Sequence, residues 1–289
     1  MKRKALVVCG PTASGKSRLA DALALRLEEA CGLATTVAVD SMQVYCEIPI
    51  ITNQARERPA ELVGVVSVVE EWTVARHQAA AQSILKRAEG PVVLDAGTGM
   101  YLNAVLLGVP LAPRVTPETR SRAEDVVRGR ETPPPNRRRV VREEELRISG
   151  AKPRGSIWEG EPVLDAVLVY LRPAWDLLQD AIETRSAAIA GCGLEEARVL
   201  GEMERFGRPP NPSVSTSIGV RELRMHLEGE ITRQEAGQRI ATRTRQLARR
   251  QIRWFDKLAQ KLEGKAKILI VASPGDPRIS HYMHDIMEA

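Results

Sequence analysis

The chain has 289 residues, 43% hydrophobic and 27% charged, with a formal net charge of +5; that length accommodates one large domain plus an insertion. Its four cysteines, Cys9, Cys31, Cys46 and Cys192, show no C-x-x-C spacing, which argues against a disulfide frame or a cysteine metal site and predicts free thiols. The opening MKRKALVVCG carries too short an apolar run for a signal peptide and no segment approaches membrane-spanning length, so a cytoplasmic protein with no membrane partner is expected.

The positive charge is unevenly spread. Residues 214–265 hold twelve Lys/Arg against six Asp/Glu, and residues 137–154 hold seven against three. Such clustering is the footprint expected for a polyanion such as nucleic acid, with a basic solvated helix as the bland alternative.

Residues 5–9, Ala-Leu-Val-Val-Cys, predict a buried strand, and Leu19, Leu23 and Leu27 then recur at helical spacing until Gly32. Between them lies GPTASGKS, residues 10–17, which fits G-x-x-x-x-G-K-[ST]. Gly10 and Gly15 admit an anion close to the backbone amides, Lys16 adds a cation, and Ser17 a hydroxyl suited to magnesium. Triphosphates and simple diphosphates present the same oxygens, so the motif alone leaves the ligand open.

Residues 35–39 predict a second strand ending at Asp40, residues 74–89 a helix with His77 on its surface, and residues 91–95 a third strand ending near Gly97-Thr98-Gly99. Strands alternating with helices indicate an α/β fold, a P-loop NTPase-like parallel sheet flanked by helices. Ligands of such sheets sit at the carboxyl ends of the strands, where Gly10, Asp40 and Thr98 all fall. On the residues alone, Asp40 is also readable as a helix cap or magnesium carboxylate, and Thr98 as a turn residue.

Residues 111–160 change character, with PLAPRVTPETR and TPPPNRRR around two predicted helices, 117–130 and 136–148. They form a small, mainly helical insertion between two parts of a catalytic core, 1–110 and 161–289. A strand at 163–171 returns to the core, followed by a helix carrying Asp180, Glu183 and Arg185. Thr232-x-x-Glu235 is a capping box that opens a long helix. On that helix Arg245, Arg249 and Arg253 make a basic stripe, and Leu247, Trp254 and Leu258 supply apolar contact. A strand at 267–272 and a short helix close the chain.

Six motifs in order carry a family resemblance: GPTASGKS, VDSMQVY (39–45), AGTGMYL (96–102), NRRRVVR (136–142), SIGVRE (217–222) and RQLARRQIRWF (245–255). Together they resemble the tRNA dimethylallyltransferases. The resemblance implies that residues Gly10, Pro11, Thr12, Ala13, Ser14, Gly15, Lys16 and Ser17 hold the diphosphate of dimethylallyl diphosphate, with Mg2+ on Ser17. It implies that Asp40 accepts the proton of an adenosine amine, that Thr98 bonds at the reacting centre, and that Arg185 contacts the diphosphate. For the tRNA anticodon stem-loop it implies contacts from Ser41, Met42, Gln43, Arg138, Arg139, Arg142, Ser217, Gly219, Arg221, Arg249, Arg250 and Arg253; a monomer is a separate expectation. The adenosine must be flipped out to present its amine, and Trp254 and Phe255 are either stacking surfaces or core. The chain departs from the family pattern in a shorter insertion, in Asp95-Ala96 before Gly97, and in residues 61–65 where paired histidines are usual. Two alternatives stand beside this reading: prenylation of a free adenylate, and an RNA-binding P-loop NTPase or kinase.

Overall fold

A computed structural model describes residues 2–109, 111–113, 115–128, 137–151 and 156–287, without the side chains of Arg138 and residues 284–287. The chain runs β1 (Lys4–Cys9), α1 (Lys16–Cys31), β2 (Thr35–Val39), α2 (Pro49–Thr52), α3 (Val74–Arg87), β3 (Val92–Ala96), α4 (Gly99–Leu106), α5 (Pro117–Arg128) and α6 (Arg137–Ile148). It continues through β4 (Asp165–Leu171), α7 (Trp175–Cys192), α8 (Leu194–Arg205), α9 (Pro212–Ser215), α10 (Val220–Leu227), α11 (Arg233–Leu262), β5 (Lys267–Val271) and α12 (Arg278–Met287).

The five strands form one parallel sheet in the order β2-β3-β1-β4-β5. β1 lies at its centre, and its run Ala5 to Cys9 is fully buried because both faces are covered. On one face Leu6 and Val8 pack with Leu19, Leu23 and Leu27 of α1 and with Ile279 and Met283 of α12. On the other, Val7 and Cys9 join a larger core that includes Ile84, Leu102, Leu223, Phe255 and Leu258. Since β1→β2 runs to one side of β1 and β3→β4 to the other, the loops after β1 and β3 flank the crevice where such sheets bind ligands.

A buried ionic group ties the layers together. Arg56, in the segment after α2, reaches Asp21 of α1 at 2.6 Å and Asp95 of β3 at 2.7 Å, with all three side chains at most 5% exposed. Burial alone would lower the guanidinium pKa, and the two carboxylates more than offset it, so the net shift is upward.

His77 corrects a sequence expectation. It is fully buried, accepting a hydrogen bond at Nδ1 from Trp72 Nε1 (3.2 Å) beside the Tyr101 ring (centroids 4.9 Å apart). Its place was readable in the spacing: His77, Ala81, Ile84 and Leu85 form the buried stripe of α3. The helices α5 and α6 pack on each other through Ala123, Val127 and Val141, a small core of their own.

Candidate active site

The loop between β1 and α1 takes the shape its residues predict. Gly15 caps α1 in a left-handed conformation (φ 84°), and a Cβ at Gly10 would lie 2.7 Å from the Leu171 carbonyl oxygen. Ala13 also has positive φ (64°), which costs a residue with a side chain about 1–2 kcal/mol. The hydroxyl of Ser14 is buried with no partner among the described residues. Thr12 N–H donates to Gln251 Oε1 (2.9 Å), so this amide of the loop faces α11.

Two cations stand in the crevice. Lys16 forms no ion pair among the described residues; burial lowers its pKa, opposed by Asp95 and then by Asp40. Arg185 of α7 donates from Nη1 to Thr12 Oγ1 (2.9 Å), and burial lowers its pKa against the pull of Asp40. Cations so little neutralised, beside an unpartnered hydroxyl, fit an anionic ligand.

Asp40 follows β2 and faces Lys16 across Gly97. Its Oδ1 accepts from Met42 N–H (2.8 Å) and Gln43 N–H (3.3 Å). Its Oδ2 lies 2.6 Å from where a Cβ on Gly97 would stand, and Lys16 Nζ lies 3.4 Å from the same point. A side chain at Gly97 would therefore have to displace the Asp40 carboxylate or the Lys16 amine. Thr98 Oγ1 accepts from Ser41 N–H (3.1 Å), joining the loop after β3 to the loop after β2.

The residues expected at an RNA surface divide into two groups. Arg249, Arg250 and Arg253 are exposed along α11, with Arg249 lying over Trp175 (4.7 Å), and Arg221 is exposed on α10. Others are engaged within the protein. Arg142 pairs with Glu145 (2.7 Å) and donates to the carbonyls of Ala112 and Pro113; Arg139 pairs with Glu143 (2.8 Å). The Arg138 side chain lies outside the described residues. Gln43 is 8% exposed and donates to the Asn53 carbonyl (3.1 Å), while Ser41 and Met42 are half-buried. Ser217 Oγ donates to Val214 O (2.7 Å), and Gly219 caps α10 at φ 99° with its N–H on Glu222 (2.8 Å). Phe255 is core, and Trp254 stacks on Trp158 (4.8 Å) while its Nε1 donates to Asn103 (3.1 Å).

The sequence reading misses Arg56, and it places Gln251 in the RNA-facing stretch 249–256 without its role between two loops. Gln251 donates from Nε2 to the Gly97 carbonyl (2.7 Å) besides accepting from Thr12; the signal was a glutamine on the buried stripe of Thr244, Ala248, Phe255 and Leu258. Arg56 carried none, because nothing near it in sequence announces the carboxylates it meets.

A glycine loop after β1, a carboxylate after β2 and two cations beside them at the carboxyl end of one parallel sheet define a P-loop-type α/β fold. The chain belongs to the IPP transferase family, whose model matches residues 43–258. A tRNA dimethylallyltransferase of Rubrobacter xylanophilus is 54% identical over 99% of both chains, and one of a Synechocystis species is 31% identical over 87% of this chain and 88% of its own. The fold matches a tRNA isopentenylpyrophosphate transferase of Bacillus halodurans (TM-score 0.68, 23% identity, 100% of this chain and 95% of that one). It also matches a eukaryotic dimethylallyltransferase acting on tRNA (TM-score 0.78, 22% identity, 99% and 80%). Among the described residues no helix is long and apolar enough to cross a membrane.

Proposed function

We propose that the protein transfers the dimethylallyl group of dimethylallyl diphosphate to the exocyclic amine of the adenosine next to the anticodon in tRNA, acting as a cytoplasmic monomer. The observation that carries the reading is the convergence at Gly97: a carboxylate oxygen with no hydrogen-bond partner among the described residues faces a half-buried cation that forms no ion pair there. A carboxylate opposite cations would serve phosphoryl transfer as well; what favours prenyl transfer over a kinase is the family match over residues 43–258.

In this mechanism the loop of residues 10–17, Lys16 and Arg185 hold the diphosphate. The C–O bond of the allylic ester breaks with its electron pair going to the diphosphate, whose growing charge the preorganised cations stabilise. The adenosine amine supplies the pair for the new N–C bond, and Asp40 Oδ2 takes the proton that nitrogen loses. Thr98 holds the Asp40 loop against the loop after β3. The donor set suits Mg2+ held by one hydroxyl, Ser17, together with ligand phosphates, since no cluster of carboxylates or histidines for a metal occurs among the described residues. When bound, that ion would add positive charge at the leaving group. Arg249, Arg250, Arg253 and Arg221 would meet the anticodon stem-loop.

The test is nucleoside mass spectrometry after incubating the protein with Mg2+, dimethylallyl diphosphate, unmodified tRNA and AMP, ADP and ATP together. Isopentenyladenosine in digested tRNA is the expected product. A prenylated free nucleotide with untouched tRNA would move the activity to adenylates, a result that the internally paired Arg139 and Arg142 of the insertion would then explain.

A further inference from the structure

Gln251 joins two loops that no other described side chain joins. From the sheet-facing stripe of α11, its amide donates to the Gly97 carbonyl at 2.7 Å and accepts from Thr12 N–H at 2.9 Å. Thr12 in turn accepts from Arg185, while Gly97 is the residue against which Asp40 Oδ2 and Lys16 lie. One side chain therefore spans the loop that holds the leaving group and the loop that faces the nucleophile. Its immediate neighbours on the helix, Arg249, Arg250 and Arg253, are the exposed cations.

We propose that Gln251 is a positioning residue for prenyl transfer. It fixes the separation between the diphosphate loop and Asp40, and it registers that separation against the helix that carries the basic surface. An amide suits the task because it offers one donor and one acceptor in a fixed plane, matching a carbonyl on one loop and an N–H on the other. Gln251 acts through Thr12 and Gly97, not on the reacting atoms. The inference rests on the prenyl-transfer reading and deepens it.

Gln251→Met keeps the length of the side chain and removes both hydrogen bonds. Because a misplacement of about 1 Å can cost about 10²-fold in rate, the single-turnover rate of Gln251→Met is expected to fall on that order. KM for tRNA, KM for dimethylallyl diphosphate and the thermal midpoint should stay near those of the wild type. Gln251→Glu retains an acceptor for Thr12 N–H but sets a second oxygen against the Gly97 carbonyl, and its rate should fall at least as far. A Gln251→Met rate within about threefold of wild type would overturn the proposal. So would a rate loss matched by equal losses in RNA affinity and thermal stability, which would make the residue a structural brace. Wild-type protein that forms no prenylated product would instead remove the parent reading, and this is read before any variant is compared.

Discussion

Asp40 uses its two oxygens differently. Oδ1 caps the turn through Met42 and Gln43, as its position after a strand suggests, while Oδ2 is left to face Gly97. The cap and the base, alternatives in the sequence, are thus compatible in the structure. Asp40→Asn separates them, since its carbonyl oxygen can still accept from Met42. It should lower prenyl transfer by about 10²–10⁴-fold while leaving the fold and tRNA affinity nearly unchanged, checked by single-turnover kinetics and filter binding. Normal turnover would end the general-base role. Lys16 and Asp40 were legible because each belongs to a contiguous motif. Gln251 and Arg56 were not, because their partners lie far off in sequence: Thr12 for Gln251, and Asp21 and Asp95 for Arg56.

Among the elements, α11 was the most legible, its Thr232–Glu235 capping box forming as expected and its basic residues facing out. Helices α4, α8 and α10 gave weaker signals. α4 is buried on nearly every face and follows a Gly-Thr-Gly turn, so no polar stripe marks its period. α8 carries Gly201 in its middle, and α10 opens at Gly219 in a stretch whose turn residues dominate. The charged face of α11 has a direct test. The double variant Arg249→Ala/Arg253→Ala should weaken tRNA binding and flatten the slope of log K against log salt by roughly 0.7–0.9 for each phosphate that the variant no longer neutralises. An unchanged slope would make that face ordinary solvated surface.

Across the whole molecule, the parallel sheet was legible strand by strand: β2 as expected, the others within a residue or two at their ends. The sequence reading misplaces His77 on the surface, although its helical spacing puts it on the buried stripe of α3. Burial brings its pKa down to about 4, against about 6.5 in an unfolded chain. Above that unfolded value both states hold the neutral ring; as pH falls from 6.5 towards 4, the unfolded chain gains a proton that the native chain resists. The shift makes up to about 3 kcal/mol of stability vanish across that window. Denaturant titrations of the wild type and His77→Leu at pH 7.5 and pH 4.5 should show a smaller acid loss in the variant. Equal losses would place the acid sensitivity elsewhere.

The order of the strands also has a consequence in time. Val7 pairs with Leu94 on one side and with Leu168 on the other. A ribosome delivers the second partner about 160 residues after the central strand itself, which at 5–20 residues per second means roughly ten seconds or more. Until then the nascent chain carries an apolar strand with an open edge, the kind of surface that invites mispairing between neighbouring chains. Speed of synthesis, as much as sequence, therefore bears on how much of this protein reaches its native sheet.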